Sequence, residues 1–492
     1  PFAPSPLFFS APPLSVFLLL STSFSLFHTS ISAKMRVAIE GCAHGALDEI
    51  YTSLAETERE TGKKIDLLIS CGDFQAVRNT GDLECLSCPP KYRSMNSFYK
   101  YYSGEKVAPV LTLFIGGNHE AANHLRELYH GGWVAPNIYF LGYAGVVNIN
   151  GVRIAGLSGI FNARHFFRGH YEKPPYSNDT VRSAYHIREF EVFKLLQITS
   201  PIDIFLSHDW PNEVVHHGDE QALFRRKPFF RDEAMRNELG SPPAWKLLTV
   251  LKPSLWFSAH LHVKYAAVVE HGEEHAEVRV EQTSDGSMSE SREEGEKEKG
   301  GKGEKKAVTR FLALDKCLPR RHFLQVIEVG KECEEGAMPK LEYDAEWLAI
   351  LKATHHLTPT SSAEVRMPHG GSGQRYDYTQ SEEEVEEVRK AFSHDMTIPS
   401  NFTPTAIVQS SSNVRATVQM CTIGPEQNNQ TLALAHRLSL PSILGVSIVE
   451  SSSEGGNGGG GHGVGEQEER VADRNGGQTV ASANEEEIDL DI

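Results

Sequence analysis

The chain has 492 residues, a formal net charge of −17, seven cysteines, and 40% hydrophobic against 23% charged residues. That length allows two or three domains at roughly 100–200 residues each, and the cysteines are too sparse for a disulfide scaffold. Taken whole, the acidity argues against a polyanionic partner, whose phosphates need surplus Lys and Arg.

The charge is uneven, however. Residues 35–265 hold 25 basic and 25 acidic residues, whereas 266–492 hold 22 basic and 40 acidic ones. The N-terminal half must therefore be judged on a neutral balance.

Residues 1–34 contain no acid, no Met and one base, Lys34; Pro, Phe, Leu and Ser make up 25 of the 34. Pyrimidine-only codons encode these four amino acids. The block is expected to be a translated pyrimidine-rich leader before a native start at Met35, with a targeting segment as the alternative. Its best apolar run, 16–20, falls short of the ~7–15 residues of a signal peptide. The block is also too interrupted for a membrane span of about 20 residues.

From Met35 short apolar stretches predict strands at 36–40, 66–70, 110–115, 146–149, 152–157, 202–207 and 254–258. Further strands are predicted at 265–269, 310–314 and 323–327. A helix is predicted over Leu47–Thr61, with apolar residues at 47, 50, 51, 54 and 55. This strand–helix–strand rhythm implies α/β layers with a sheet packed against helices. The run 284–306, SDGSMSESREEGEKEKGGKGEKK, cannot bury enough surface to offset its ordering entropy and is expected to be a disordered insertion. LEYDAEWLAILKAT and SEEEVEEVRKAF are expected to be helical. The expected division is a leader at 1–34, a catalytic domain at 35–330, a C-terminal domain at 331–399 and a disordered acidic tail at 400–492.

Five predicted strands end in metal-type side chains. They run into Gly41-Cys42-Ala43-His44, Gly72-Asp73-Phe74-Gln75, Gly117-Asn118-His119-Glu120, Ser207-His208-Asp209 and Ala259-His260-Leu261-His262. In open α/β sheets, sites form beyond the carboxyl ends of the strands. Any one of these pieces is weak, since a lone His after a strand is usually a hydrogen-bonded loop residue. Five together are hard to explain by packing, because so dense a polar cluster is costly unless a cation satisfies it.

GDFQ, GNHE, SHD and AHLH, in this order, resemble the calcineurin-like metallophosphoesterases. Longer runs, among them MRVAIEGCAHG, PPKYRSMNSFYKYYSGEKVAPVLTLFIGGNHE, GGWVAPNIYFLG, PIDIFLSHDWP, WFSAHLHVKYAA and TRFLALDKCLPRR, resemble the lariat-debranching family within them. The resemblance covers roughly 35–329 and continues more weakly to about 395. It implies a four-layer α/β/β/α sandwich with a C-terminal helical extension and a disordered tail. The activity it implies is hydrolysis of the 2′-5′ phosphodiester of excised intron lariats, giving linear RNA for turnover. A metallophosphoesterase acting on linear nucleic acid or a phosphoprotein is the alternative.

Residue by residue, Cys42, His44, Asp73 and His262 resemble the ligands of one divalent metal. Asp73, Asn118, His208 and His260 resemble those of a second, with Asp73 bridging, and His119 resembles the proton donor to the leaving oxygen. Cys42 stands where the wider superfamily has Asp, which is a feature of the debranching family. A thiolate favours Zn or Fe over Mg, so Fe/Zn or Mn are the candidate metals.

Two basic stretches are fit for RNA. Residues 91–106 carry four bases, one acid and five aromatics, which could stack on bases or could be the core face of an amphipathic helix. Residues 161–188 carry five Lys/Arg and three His against two acids; this region resembles the family's lariat-recognition loop. Arg164, His165, Arg168, His170, Tyr171, Lys173 and Tyr176 are its candidate substrate contacts, a solvated surface loop being the alternative. Cys85-x-x-Cys88 lacks a second pair and is read as a loop pair. His216-His217 and His355-His356 are read as surface or packing residues. The expected partners are branched intron RNA and, through the tail, splicing-related proteins, with no membrane and no small-molecule cofactor. The expected compartment is the nucleus.

Overall fold

The computed structural model describes residues 32–272, 307–334, 338–443 and 446–447. Residues 1–31 and the insertion at 284–306 lie outside the described residues, as do residues 449–492. Among the described residues no helix is long and apolar enough to cross a membrane.

Strand β1 (Ser32–Glu40) shows how the layers arise. Its side chains alternate with period two. Val37 and Ile39 enter one apolar cluster, while Ala38 enters another on the opposite face. Both faces of the strand are thus covered.

The remaining strands of the two large sheets are β2 (Leu67–Ser70), β3 (Leu111–Phe114), β4 (Gly132–Ala135), β5 (Ile138–Phe140), β6 (Ala144–Ile149), β7 (Val152–Leu157), β8 (Ile204–Ser207), β9 (Leu255–Ser258), β10 (Tyr265–Glu270), β11 (Val308–Ala313), β12 (Leu324–Glu334) and β13 (Leu341–Tyr343). The helices are α1 (Leu47–Thr61), α2 (Phe98–Tyr102), α3 (Ala122–Glu127), α4 (Asn178–Ser183), α5 (Glu189–Leu195), α6 (Glu220–Arg226), α7 (Phe230–Met235), α8 (Pro242–Leu251), α9 (Ala345–Thr354), α10 (Glu382–Ala391) and α11 (Asn429–Leu438).

One sheet has the order β12-β1-β2-β3-β5-β4 and the other β10-β11-β9-β8-β7-β6-β13. Val37, Ile69 and Leu113 from the first pack with Ile154, Leu206 and Phe257 from the second, so one core lies between the sheets. Ala38, Leu68 and Phe114 pack outward onto Leu47, Ile50 and Leu54 of α1 and Phe98 of α2. The outer face of the second sheet packs on α5, α8 and α9 through Phe205, Trp256, Leu195, Leu247 and Leu348. The result is the four-layer α/β/β/α arrangement. Strands β1, β2 and β3 are mutually parallel neighbours, as are β8 and β9. Their carboxyl ends carry all five motif turns.

Three expectations need correction. LEYDAEWLAILKAT is not one helix: Leu341–Tyr343 pairs with β6, and Asp344 then caps α9 by accepting a hydrogen bond from Trp347 N. The short strands β4 and β5 lie in a stretch with no strand prediction. The third correction is the tail, expected to be disordered from residue 400. Residues 400–443 instead form an ordered strap on the first half of the chain. Tyr102 Oη accepts from Thr405 N (2.7 Å), Asn79 Nδ2 donates to Ile407 O (2.9 Å) and Thr80 N donates to Gln409 Oε1 (2.6 Å). Gln430 of α11 accepts from Trp133 N and donates to Trp133 O, which fixes the helix to β4. Most of these polar contacts are single hydrogen bonds between side chain and backbone, which leave no hydrophobic period to read. Eleven of the twelve acids beyond residue 400 fall in 449–492.

Candidate metal centre

Each motif turn begins where a parallel strand stops pairing. Five residues here take left-handed backbone angles although none is glycine: His44 (φ 44°), Asp73 (50°), Gln75 (54°), His260 (62°) and His262 (48°). Such conformations cost of order 1–3 kcal/mol each and concentrate at functional sites. Two true glycines are dictated by space. A Cβ on Gly117 would stand 2.2 Å from Asp73 Oδ1, and one on Gly72, at φ 116°, would stand 2.3 Å from His208 Nδ1.

The turns bring Cys42, His44, Asp73 and His262 together, with one donor atom from each lying within 4.8 Å of the others. His44 Nε2 is 3.1 Å from His262 Nε2 and 3.5 Å from Asp73 Oδ2. The other oxygen of Asp73 faces a second group: Oδ1 is 3.3 Å from His208 Nε2, which in turn is 3.1 Å from Asn118 Oδ1. The His260 ring lies 5.0 Å from that of His208. Asp73 therefore presents one oxygen to each side. His208 Nδ1 lies 2.8 Å from Cys71 O, a contact in which only the nitrogen can donate; this directs the lone pair of Nε2 into the site. Cys42 Sγ accepts from His260 N (3.1 Å), which ties the first and last turns together.

Electrostatics favours cation binding. Burial pushes His44 down to about 4, His260 to about 3 and His262 to about 2, so these imidazoles are neutral donors near pH 7. Burial pushes the Cys42 thiol well up, and Asp73 and Glu40 nearby push the same way. Burial would raise Asp73 too, but His208, His119 and His44 hold it well below the usual carboxylate range. A thiol, neutral imidazoles, an amide oxygen and an ionised carboxylate form a donor set suited to divalent transition metals. A cation held by both would satisfy the close approach of the His44 and His262 nitrogens. The residues present fit two metals.

His119 sits beside this set. Its backbone N donates to Asp73 Oδ1 (2.8 Å), and its partly exposed ring lies 5.5 Å from that of His44. Glu120 does not join the donors. Its carboxylate accepts from Phe74 N, Gln75 N and Gly117 N at 2.8–2.9 Å, clamping the second turn to the third. Asp209 likewise turns away and accepts from Phe161 N (3.1 Å) and Trp210 N (2.9 Å).

That bond from Phe161 roots the loop 161–188 beside the site. The loop is rigidly anchored: Arg188 donates to Glu172 (2.7 Å) and to His165 O (2.8 Å). The seven substrate candidates separate into two groups. Arg164 and Lys173 are exposed, and His165, Arg168 and Tyr171 are half-buried. The polar atoms of His170 and Tyr176 point inward, into a small pocket shared with Arg126, Tyr129, Tyr143 and Glu172. His170 Nε2 is 3.5 Å from Glu191 Oε2. His170 and Tyr176 thus face this pocket, whereas Arg164 and Lys173 face solvent. The ring-stacking expectation for 91–106 also changes. Phe98, Tyr99, Tyr101 and Tyr102 are core residues, and only Tyr92 of the five aromatics is exposed. Lys100 and Lys106 both pair with Asp48.

Two family patterns match the chain: calcineurin-like phosphoesterase over residues 35–264 and lariat debranching enzyme, C-terminal domain, over residues 306–443. The Homo sapiens lariat debranching enzyme is 47% identical over 470 residues, covering 93% of this chain and 79% of that one. The chain belongs to the lariat debranching enzyme family. The Gallus gallus enzyme of that name is 50% identical, covering 80% of this chain and 68% of its own. The Arabidopsis thaliana enzyme is 46% identical, covering 84% and 88%. The family's C-terminal pattern runs through the strap to residue 443, so the boundary expected at 399/400 falls inside it.

Within this member of the debranching family, sequence reasoning missed two supporting residues. Asn96 donates to His44 O (2.9 Å) and to Gln75 Oε1 (3.2 Å), and Gln75 Nε2 lies 3.5 Å from His44 Nδ1. Gln75 was visible within GDFQ. Asn96 carried no signal beyond a φ of 45° that only the structure shows. Cys85 and Cys88 are free thiols.

Proposed function

We propose that the chain is a metal-dependent phosphodiesterase that hydrolyses the 2′-5′ branch of RNA lariats. The observation that carries this reading is the Cys42–His44–Asp73–His262 cluster sharing Asp73 with His208 and Asn118, in a chain of the debranching family. Cys42, His44, Asp73 and His262 would hold one cation, and Asp73, Asn118, His208 and His260 the other. Such a pair, when bound, supplies Lewis acidity toward a phosphoryl oxygen and lowers the pKa of water.

The chain's own residues do the rest. Asp73 divides its two oxygens between the two donor groups. The backbone bond from His119 to Asp73 fixes the start of that side chain at the mouth of the site. His119 delivers a proton to the departing ribose 2′ oxygen, and a positioned acid contributes typically 10²–10⁴-fold. Arg164, Arg168 and Lys173, on a loop rooted beside Asp209, meet the RNA backbone. Zn, Fe and Mn are the candidate metals, and nuclear lariats the candidate substrate pool.

The test compares a synthetic RNA bearing one 2′-5′ arm with linear RNA and a phosphopeptide, each with and without chelator. Chelator-sensitive release of the arm alone is expected. Equal cleavage of linear RNA or the phosphopeptide would assign another substrate, and no turnover with any metal would remove the enzymatic reading.

A further inference from the structure

The loop 161–188, rooted beside the site at Asp209, does not stand alone. A segment of the C-terminal domain, residues 359–369, runs along its outer side. Gly169 N donates to Ser361 O (3.1 Å), and Val365 N donates to Phe167 O (2.7 Å). A Cβ on Gly169 would stand 2.3 Å from Pro359 O, so the two backbones meet directly. Met367 N donates to Glu189 Oε2 (2.7 Å), while Glu189 N donates to Phe166 O, closing the arrangement onto α5. Met367 and Tyr378 pack with Phe190 and Phe193. Residues 166–169 are thus held between α5 and this segment.

The side-chain contact that joins the two is Arg366, whose Cζ lies 3.2 Å from the centroid of the Phe167 ring. A guanidinium lying on an aromatic face is held by the ring quadrupole and by stacking, which a lysine cannot match. Phe167 immediately precedes Arg168, a half-buried base of the loop whose buried Nε has no hydrogen-bond partner within the protein. The aim of Arg168 is set by the backbone on either side of it, at Phe167 O and Gly169 N, and both atoms are held by the C-terminal segment.

We propose that Arg366 is a positioning residue for substrate recognition: stacked on Phe167, it fixes the loop strip 166–169 so that Arg168 is presented to branched RNA. This rests on reading the chain as a lariat-debranching phosphodiesterase. Arg366 acts through Phe167 and does not itself touch RNA.

The experiment measures KM and kcat on a branched RNA with one 2′-5′ arm, and separately kcat/KM on bis(p-nitrophenyl) phosphate, for the full chain loaded with metal. Arg366→Ala and Phe167→Leu should each raise KM for branched RNA about 2- to 5-fold, the range of an exposed cation–π contact. The double variant should be no worse than either single one. In all three, kcat and turnover of the small diester should stay within about twofold, and Arg366→Lys should not restore KM. Arg366 is exposed, so its substitution leaves the core intact. If Phe167→Leu leaves KM unchanged while Arg366→Ala raises it and Arg366→Lys restores it, Arg366 is a direct phosphate contact and the proposal is overturned. Unchanged KM in every variant overturns it as well. A wild-type chain that turns over the small diester but not branched RNA would overturn the debranching reading, and this proposal with it.

Discussion

Arg78 offers the sharpest test of how the metal turns are held in place. Its side chain and those of Asp82 and Glu127 are wholly buried. Its guanidinium spans Asp82 (2.7 and 3.0 Å), Glu127 (2.7 Å) and Thr405 of the strap (3.0 Å). Arg78 lies five residues beyond Asp73, and Glu127 eight beyond His119, so the cluster joins the roots of two motif turns to the strap. Arg78→Met keeps volume but strands two buried carboxylates. Breaking such a pair costs about 3–5 kcal/mol. The lower end applies here. Asp82 keeps a hydrogen bond from Asn123 Nδ2 (2.7 Å), and Glu127 keeps one from Thr405 Oγ1 (2.6 Å). Burial has already raised the Glu127 carboxyl, so it can take up a proton once Arg78 is gone. A loss near 3 kcal/mol, with a urea slope near ~3 kcal/mol/M, lowers the unfolding midpoint by roughly 1 M. The double variant Arg78→Met/Glu127→Gln should regain about half of that, because one stranded charge is removed. A loss under ~1 kcal/mol for Arg78→Met, or a double variant less stable than the single, would refute the reasoning.

Truncation after Ile448 should leave melting temperature and debranching unchanged, whereas ending the chain at residue 399 removes the strap and should lower the melting temperature by at least ~5 °C; equal melting of the two truncations would show that the strap contributes nothing. Loading the metal-free chain with Zn near pH 7 should release about one to two protons, from the raised Cys42 thiol and from His208, which Asp73 holds above its ordinary value against burial. The Cys42 thiol holds its proton and Asp73 favours the protonated form of His208 when the metal is absent, so affinity must weaken as pH falls; a lightly buffered titration with no acidification would contradict this. His119→Ala should slow cleavage of branched RNA by about 10²–10⁴-fold with metal content unchanged, and a fall in bound metal would make His119 a ligand instead.

The sequence carried most of the site because the site is built from strand ends. Short apolar strands are visible as runs, and the polar turns that follow them stand out by contrast; Cys42, His44, Asp73, Asn118, His208, His260 and His262 were all legible in this way. The inward turn of His170 and Tyr176 was not. A basic loop has no period that distinguishes an inward ring from an exposed one, and their neighbours Arg126 and Tyr143 come from distant positions. The strap was hidden for the same reason. Thr405, Gln409 and Gln430 bond to backbone and side chains some 300 residues away, and their composition alone resembles a linker. Asn96 was missed because one amide in a basic, aromatic stretch says nothing about the histidine it touches.

In the proposed reaction the leaving group is the ribose 2′ oxygen of the branch nucleotide. Hydrolysis of a branched RNA in ¹⁸O-labelled water, with mass analysis of both fragments, tests it directly. A single ¹⁸O is expected in a phosphate at the 5′ end of the released arm, with an unlabelled, free 2′ hydroxyl on the branch nucleotide. A phosphate left on the 2′ position of the branch would contradict it.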